Sequence, residues 1–81
     1  MTLLDAQINT TYRIKTVYEG NVRRRLLDIG FTPGAEIFVS SKAPFGGTVL
    51  VGTRGFIAAL REDAASLIEL ECLEAQVHDR T

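Results

Sequence analysis

Residues 20–35 constrain the fold more than any other segment, because they read as one short helix with both ends marked. Asn21 is a candidate N-cap, since its side-chain oxygen can accept from the free N–H groups of a first helical turn. Gly30 is a candidate helix end, since glycine adopts a positive φ without a Cβ penalty. Helical spacing gives this segment one apolar face, formed by Val22, Leu26 and Ile29.

A tight turn follows the helix directly. Phe31 occupies the position where an apolar side chain commonly packs back on the last helical turn. Residues 32–35 then fit a type II turn, in which Pro33 fixes φ and Gly34 supplies a positive φ. So short a helix is stabilised by packing rather than by propensity. The rest of the chain must therefore supply an apolar surface beneath it.

Five short segments have the alternating or two-sided apolar pattern of β-strands, namely residues 12–18, 36–42, 48–51, 56–61 and 67–73. In the first, the residues that share a face are Tyr12, Ile14 and Tyr18. In the last, the residues expected to face the core are Ile68, Leu70 and Cys72.

The connections between these segments are short. Residues 43–47 form a loop with a proline and a glycine pair, residues 52–55 a hairpin turn, and residues 62–66 a single helical turn. The pattern predicts a mainly β fold, a small and partly open antiparallel barrel of about five strands with one short helix covering an end.

Length and charge restrict the class of protein. The chain has 81 residues, which is enough for one domain, and we expect residues 1–73 to form it and residues 74–81 to be a polar tail. A net charge of −1 provides no general attraction to nucleic acid or to an anionic membrane. One cysteine fits a reducing compartment, and no apolar run is long enough to cross a bilayer. These features predict a soluble cytoplasmic protein.

Catalytic and metal-binding groups are scarce. Cys72 is the only cysteine and is expected in the core, while His78, the only histidine, lies in the tail. No nucleophile is paired with a base, so we expect no enzyme and no catalytic residue. One histidine and one cysteine cannot form a four-ligand soft site. His78 with Asp79 or Glu74 could bind a divalent ion weakly, and a tail histidine without a ligand is the alternative.

The helix carries three arginines in its first turn, where the macrodipole disfavours each cation by roughly 0.3–1 kcal/mol. One interpretation is a solvated face with partial pairing of Arg24 and Asp28. The other is that Arg23, Arg24 and Leu27 contact a partner protein.

A second candidate surface combines a loop and a turn. Phe45, Gly46 and Gly47 lie in the first, and Arg54 lies at the tip of the hairpin turn. An exposed phenylalanine flanked by glycines is a natural interface anchor. The alternative is that Phe45 folds back and fills the end of the barrel.

Four segments together resemble the ferrous iron transport protein A family, FeoA: residues 12–14, 26–34, 43–47 and 56–61. The chain departs from the family at Asn9, near which glycine is frequent, and at Thr48, where proline is frequent. The resemblance implies an SH3-like barrel and an accessory role beside the membrane ferrous iron transporter FeoB, whose soluble part is a GTPase. It implies no required cofactor, and a weakly bound Fe2+ or Zn2+ remains open.

The same small fold also forms the C-terminal domain of iron-dependent repressors. The alternative function is therefore a metal-responsive regulatory domain that binds a transition metal ion. The resemblance places the protein at the inner membrane only through its partner, without insertion and without nucleic acid. Self-association remains open.

Overall fold

The computed structural model describes residues 1–43 and 47–73. A 3₁₀ turn (Leu3–Asp5) precedes a run of strands and short helices. They are β1 (Thr10–Val17), α1 (Arg23–Ile29), β2 (Glu36–Lys42), β3 (Thr48–Gly52), β4 (Ile57–Arg61), α2 (Glu62–Ala65) and β5 (Ile68–Cys72).

The five strands form one antiparallel sheet in the order β4-β3-β2-β1-β5. Strands β4 and β5 are its two edges, so the sheet does not close into a continuous barrel. The mainly β, partly open fold predicted from the sequence is confirmed.

The core lies on the inner face of this curved sheet. Every strand contributes alternate side chains to it, among them Ile14, Ile37, Val51, Leu60 and Ile68. Leu26 of α1 is 2% exposed, and helix α1 thus supplies the cover that the strands need.

The end of α1 has the predicted geometry. Gly30 has φ +127°, and its N–H and that of Phe31 both donate to the Leu26 carbonyl, at 3.2 and 2.9 Å. Phe31 is completely buried. A glycine is required here because other residues rarely adopt this φ.

The turn after the helix is also as predicted. Gly34 has φ +93°, and the Ala35 N–H donates to the Thr32 carbonyl at 3.0 Å. The turn is also hydrogen-bonded to β1. The Gly34 N–H donates to the Ile14 carbonyl, and the Ile14 N–H donates to the Ala35 carbonyl, each at 2.8 Å. Helix α1 is therefore held in place by β1 at its C-terminal end.

Two expectations about α1 are wrong. Asn21 does not cap it, because the helix begins at Arg23 and Val22 stands at the N-cap position without a side-chain bond. Ile29 is 43% exposed rather than buried, because it lies on the last turn of α1 at an open groove between this helix and β4.

Tyr18 was predicted to face inward with Tyr12 and Ile14, and this is wrong, since its side chain is 47% exposed. The pairing of β1 with β5 shifts register between Ile14 and Thr16. This irregularity reverses the alternation, so that Val17 is buried instead.

The expectation of a buried Cys72 is also wrong, because the thiol is exposed. The N-terminal segment covers β5 only as far as Leu70, whose N–H donates to the Met1 carbonyl at 2.7 Å. Cys72 is the last residue of the strand and lies past this cover.

Candidate partner-binding surface

Arg54 stands at the tip of the β3–β4 hairpin. The Thr53 N–H donates to the Phe56 carbonyl at 2.8 Å, and the Gly55 N–H donates to the Thr53 hydroxyl at 3.2 Å. These bonds fix a two-residue loop and leave Arg54 exposed. Its side chain borders a cleft of about 350 Å³ between this loop and residues 34–36.

Phe56 packs this hairpin against the end of α1. Its ring meets the ring of Phe31 edge-on, with centroids 5.6 Å apart and an interplanar angle of 72°. The same ring lies over Gly30, 3.6 Å from the place where a Cβ would stand. Arg54 therefore has a fixed position relative to the end of α1.

Two large apolar side chains are exposed next to Arg54. Phe38 of β2 is 41% exposed, and Ile57 of β4 is 72% exposed. Both pair in register with Gly52 of β3, so the three residues form one row across the outer face of the sheet. Gly52 has no side chain, and Ile57 Cγ1 lies 4.0 Å from the position that a Cβ on Gly52 would occupy.

We call Arg54, Phe38, Phe56 and Ile57 the Arg54 surface. Phe38, Gly52 and Arg54 line one further shallow cleft, which connects Phe38 with Arg54. An exposed apolar patch with a basic residue at its border has the composition of a protein interface. The arrangement can bind a partner that presents an apolar group and a carboxylate.

Glu36, which lines both of these clefts with Arg54, directs its carboxylate to another cation. Its Oε2 lies 3.6 Å from a guanidinium nitrogen of Arg13, and both side chains are nearly half exposed. Such a pair contributes about 0–1 kcal/mol to stability. Within residues 1–43 and 47–73, Arg54 has no ion pair, so its guanidinium is free to bind a partner.

A separate polar cluster joins the N-terminus to β5. The Met1 amino group lies 2.8 Å from Glu69 Oε2, and the Tyr18 hydroxyl donates to Glu69 Oε1 at 3.1 Å. These two hydrogen bonds, that of Met1 foremost, hold the pKa of Glu69 below its ordinary value. The hydrogen bond to this carboxylate raises the pKa of Tyr18.

The candidate residues on α1 lie in different environments. Arg23 donates from Nε to the Val17 carbonyl at 2.9 Å, and it therefore has a structural contact. Leu27 is half-buried against the core, and Arg24 is exposed. The partial pairing of Arg24 with Asp28, which one of the two interpretations of this face included, is not formed. None of the three α1 candidates lines the clefts that border Arg54.

Of the other six candidate residues, the structure describes one. Gly47 is exposed with φ +94°, and its carbonyl accepts from the Glu62 N–H at 2.9 Å. The remaining five lie outside the described residues: Phe45, Gly46, Glu74, His78 and Asp79. Within the described ranges, no three His, Cys, Asp or Glu side chains are close enough to hold a metal ion.

Sequence reasoning missed Phe38 and Ile57 as surface residues. Alternation places Phe38 opposite Ile37, which was a usable signal. Ile57 belongs to an apolar run without alternation, and only the pairing of Gly52 with both residues shows that they form one patch.

None of the helices in the described segments is both long and apolar enough to span a membrane. Five antiparallel strands in an open sheet, with a short helix after the first, define a small SH3-like β domain. The model of the FeoA domain matches residues 1–72. The chain therefore belongs to the FeoA family, whose members include an iron(II) transport protein A.

No curated protein sequence matches the chain significantly. Among solved structures, the FeoA-like protein of Clostridium acetobutylicum has 31% sequence identity and a TM-score of 0.82, covering 90% of this chain and 86% of that one. The FeoA of Stenotrophomonas maltophilia, solved as a zinc complex and described as an SH3 domain protein, has 28% identity and a TM-score of 0.78, covering 88% and 89%.

A manganese-dependent transcriptional repressor has the same fold. Its TM-score is 0.83 at 19% identity, and the match covers 90% of this chain and 41% of the repressor. At this identity the similarity shows the fold alone.

Proposed function

We propose that this protein is a cytoplasmic accessory factor of bacterial ferrous iron uptake, which binds and regulates the GTPase part of the transporter FeoB. The structural observation that carries the proposal is the Arg54 surface, where Phe38 and Ile57 are exposed beside a guanidinium without an ion pair in the described ranges. Membership of the FeoA family supports the connection with ferrous iron. The protein reaches the inner membrane through its contact with FeoB, and none of the helices in residues 1–43 and 47–73 could span that membrane.

The physical basis of this recognition is burial of apolar area with a charged border. Ile57 is 72% exposed, and its burial by a partner removes most of its side chain from water. Apolar burial contributes about 25 cal/mol per Å² before the costs of association are subtracted. Arg54 at the border accelerates encounter with an acidic surface and excludes basic ones.

We infer that the protein acts by binding and not by catalysis. The FeoA domain, residues 1–73, changes the GTPase by binding one of its conformations more tightly than the other. The magnitude of such regulation is set by the difference between the two affinities.

The direct test measures binding of this chain to the soluble GTPase part of FeoB by calorimetry. Ile57→Ser should weaken binding by about 1–2 kcal/mol, because it removes a central apolar side chain. Ile8→Ser is the matched control, since Ile8 is an exposed isoleucine, 50% accessible, that lies outside the Arg54 surface. Equal affinities of the two variants would refute the role of this surface.

The loop candidate is tested in the same way. If Phe45 is an anchor, Phe45→Ala should cost about 2 kcal/mol or more of binding with a smaller loss of stability. If Phe45 instead fills the end of the barrel, the free energy of unfolding should fall and binding by the folded fraction should persist.

A second candidate function is metal sensing, and the zinc complex of the Stenotrophomonas maltophilia relative favours it. In this chain the proposed weak site combines His78 with Asp79 or Glu74. Calorimetry with Fe2+ or Zn2+ distinguishes the functions: one stoichiometric site of micromolar affinity, lost in His78→Ala, would favour the sensor.

A further inference from the structure

Strand β4 is an open edge of the sheet. It pairs only with β3, and the Thr53–Phe56 and Gly47–Glu62 hydrogen bonds mark the two ends of that ladder. In an antiparallel ladder, backbone groups point alternately toward and away from the neighbouring strand. The N–H and C=O groups of Ile57 and Ala59 therefore point away from β3. Among the described residues, no hydrogen bond uses these groups.

An apolar groove of about 340 Å³ lies between this edge and α1. Its helix side is the apolar face identified in the sequence, Val22, Leu26 and Ile29. Its strand side is Ala58, Ala59 and Leu60, two of which are too small to fill the space. The exposure of Ile29, which contradicts the expectation of a buried helix face, is explained by its position in this groove.

The groove has an excess of positive charge. Arg25 and Arg61 both line it, and both side chains are exposed. Neither is paired with a carboxylate in the described part of the chain. The third charged residue, Asp63, accepts a hydrogen bond from the Ala64 N–H at 2.9 Å. The groove can therefore bind an anionic side chain at its border.

This charge distribution also selects among occupants. Pairing of two copies along β4 would bring their Arg25 and Arg61 side chains into one interface, and like charges placed together in an interface are unfavourable. An acidic and apolar segment of another protein has no such conflict.

We propose that the groove between α1 and β4 binds an extended segment of a partner protein, which adds to β4 as a sixth strand. Its backbone bonds to Ile57 and Ala59, its inward apolar side chains contact Val22 and Ile29, and its acidic side chains pair with Arg25 and Arg61. Strand addition to a sheet edge obtains affinity from main-chain hydrogen bonds and specificity from alternate side chains. The proposal is independent of the identity of the partner. It uses the backbone of Ile57, whereas the Arg54 surface uses the Ile57 side chain.

The test uses a labelled synthetic heptapeptide in which two glutamates precede alternating valines and threonines. The control peptide carries lysines in place of the glutamates. Fluorescence anisotropy measures affinity for the full chain, and amide NMR shifts report where the peptide binds. We expect binding of the acidic peptide only, with the largest shifts and new exchange protection at Ile57 and Ala59.

Two exposed substitutions test the site without disturbing the core. Arg61→Glu should lower the affinity for the acidic peptide by about tenfold or more, because it reverses the charge that pairs with the glutamates. Ile29→Glu should lower the same affinity by about tenfold, because it removes an apolar side chain from the helix side of the groove. Arg24→Glu is the matched control, because Arg24 is exposed on the same helix and lies outside the groove, and it should change affinity less than about twofold.

Three results would overturn the proposal. They are the absence of binding, equal binding of the lysine peptide, and shifts confined to the outer face at Phe38. Self-association of the chain without peptide, with exchange protection at Ile57 and Ala59, would assign the edge to a second copy and would overturn it as well.

Discussion

The ring of Phe56 meets the ring of Phe31 edge-on, at a centroid distance of 5.6 Å, and this contact joins the β3–β4 hairpin to the end of α1. Phe31 is fully buried, while Phe56 covers it from the surface. The contact explains how the exposed tip of the hairpin keeps a defined position beside the helix.

Replacement of Phe56 by alanine should lower the free energy of unfolding by about 1–3 kcal/mol. The loss combines the aromatic pair, about 0.5–1.5 kcal/mol, with part of the apolar burial. Urea unfolding measures this loss of free energy. Phe38→Ala is the control, because Phe38 is similarly exposed and has no aromatic partner among the described residues. Equal destabilisation by the two changes would contradict the structural role of Phe56.

Replacement of Gly30 by valine should lower the free energy of unfolding by about 1–3 kcal/mol, because a β-branched residue is strained at φ +127°. A Cβ would meet Phe56 only at ordinary contact distance, so the cost comes from the backbone. Gly55→Val is the control, since its Cβ would meet open space and its φ is not positive. A melting temperature of Gly30→Val equal to that of the wild type would exclude the strain.

Local rules were enough to predict the elements that depend on a few neighbouring residues. The positive φ of Gly30 and of Gly34 and the bounds of β2 follow from the conformational limits of glycine, proline and alternating strands. These features need no knowledge of distant segments.

Burial at the ends of elements could not be predicted in this way. Tyr18 turns outward because of a register shift opposite β5, and Cys72 is exposed because the N-terminal segment stops at Leu70. The row of Phe38 and Ile57 across Gly52 depends on the register of three strands. Each of these depends on contacts between residues far apart in the sequence.

The exposed Cys72 should react with a thiol reagent in the folded protein, which reverses the inertness expected for a core thiol. We expect one equivalent to be labelled without denaturant, at a rate within about tenfold of that in denaturant, since access no longer limits a surface thiol. Labelling that requires global unfolding would show that Cys72 is covered in solution.

Glu69 should make stability depend on pH below neutrality. Its pKa is lowered in the folded state by the Met1 amino group and the Tyr18 hydroxyl. A lowered folded pKa stabilises the protein above the ordinary carboxyl value of 4.5, and this stability is lost as pH falls through the folded pKa. Glu69→Gln should therefore lower the melting temperature at pH 7, and the difference should vanish in acid.

The matched control for this pH dependence is Glu71→Gln. Glu71 is exposed on the same strand, and its side chain makes no hydrogen bond or ion pair with the described residues. If Glu71→Gln reproduced the pH-dependent difference, the effect would reflect net charge and not the Met1–Glu69 pair.

Charge reversal at Arg54 should weaken association with the GTPase part of FeoB mainly through the rate of encounter. Arg54 is exposed at the hairpin tip, so its attraction to a partner carboxylate acts before contact and is screened by salt. We expect Arg54→Glu to slow association by about tenfold at low ionic strength and by much less at about 0.5 M salt, with dissociation little changed. Arg24→Glu carries the same charge change on the helix and should leave the rate of association nearly unaltered.

The same two variants can be compared in a strain that depends on this protein for ferrous iron uptake. Arg24→Glu should restore uptake, and Arg54→Glu should restore it poorly. If both variants associate and restore uptake like the wild type, the partner binds elsewhere, and the remaining α1 residues Arg23 and Leu27 become the next positions to replace.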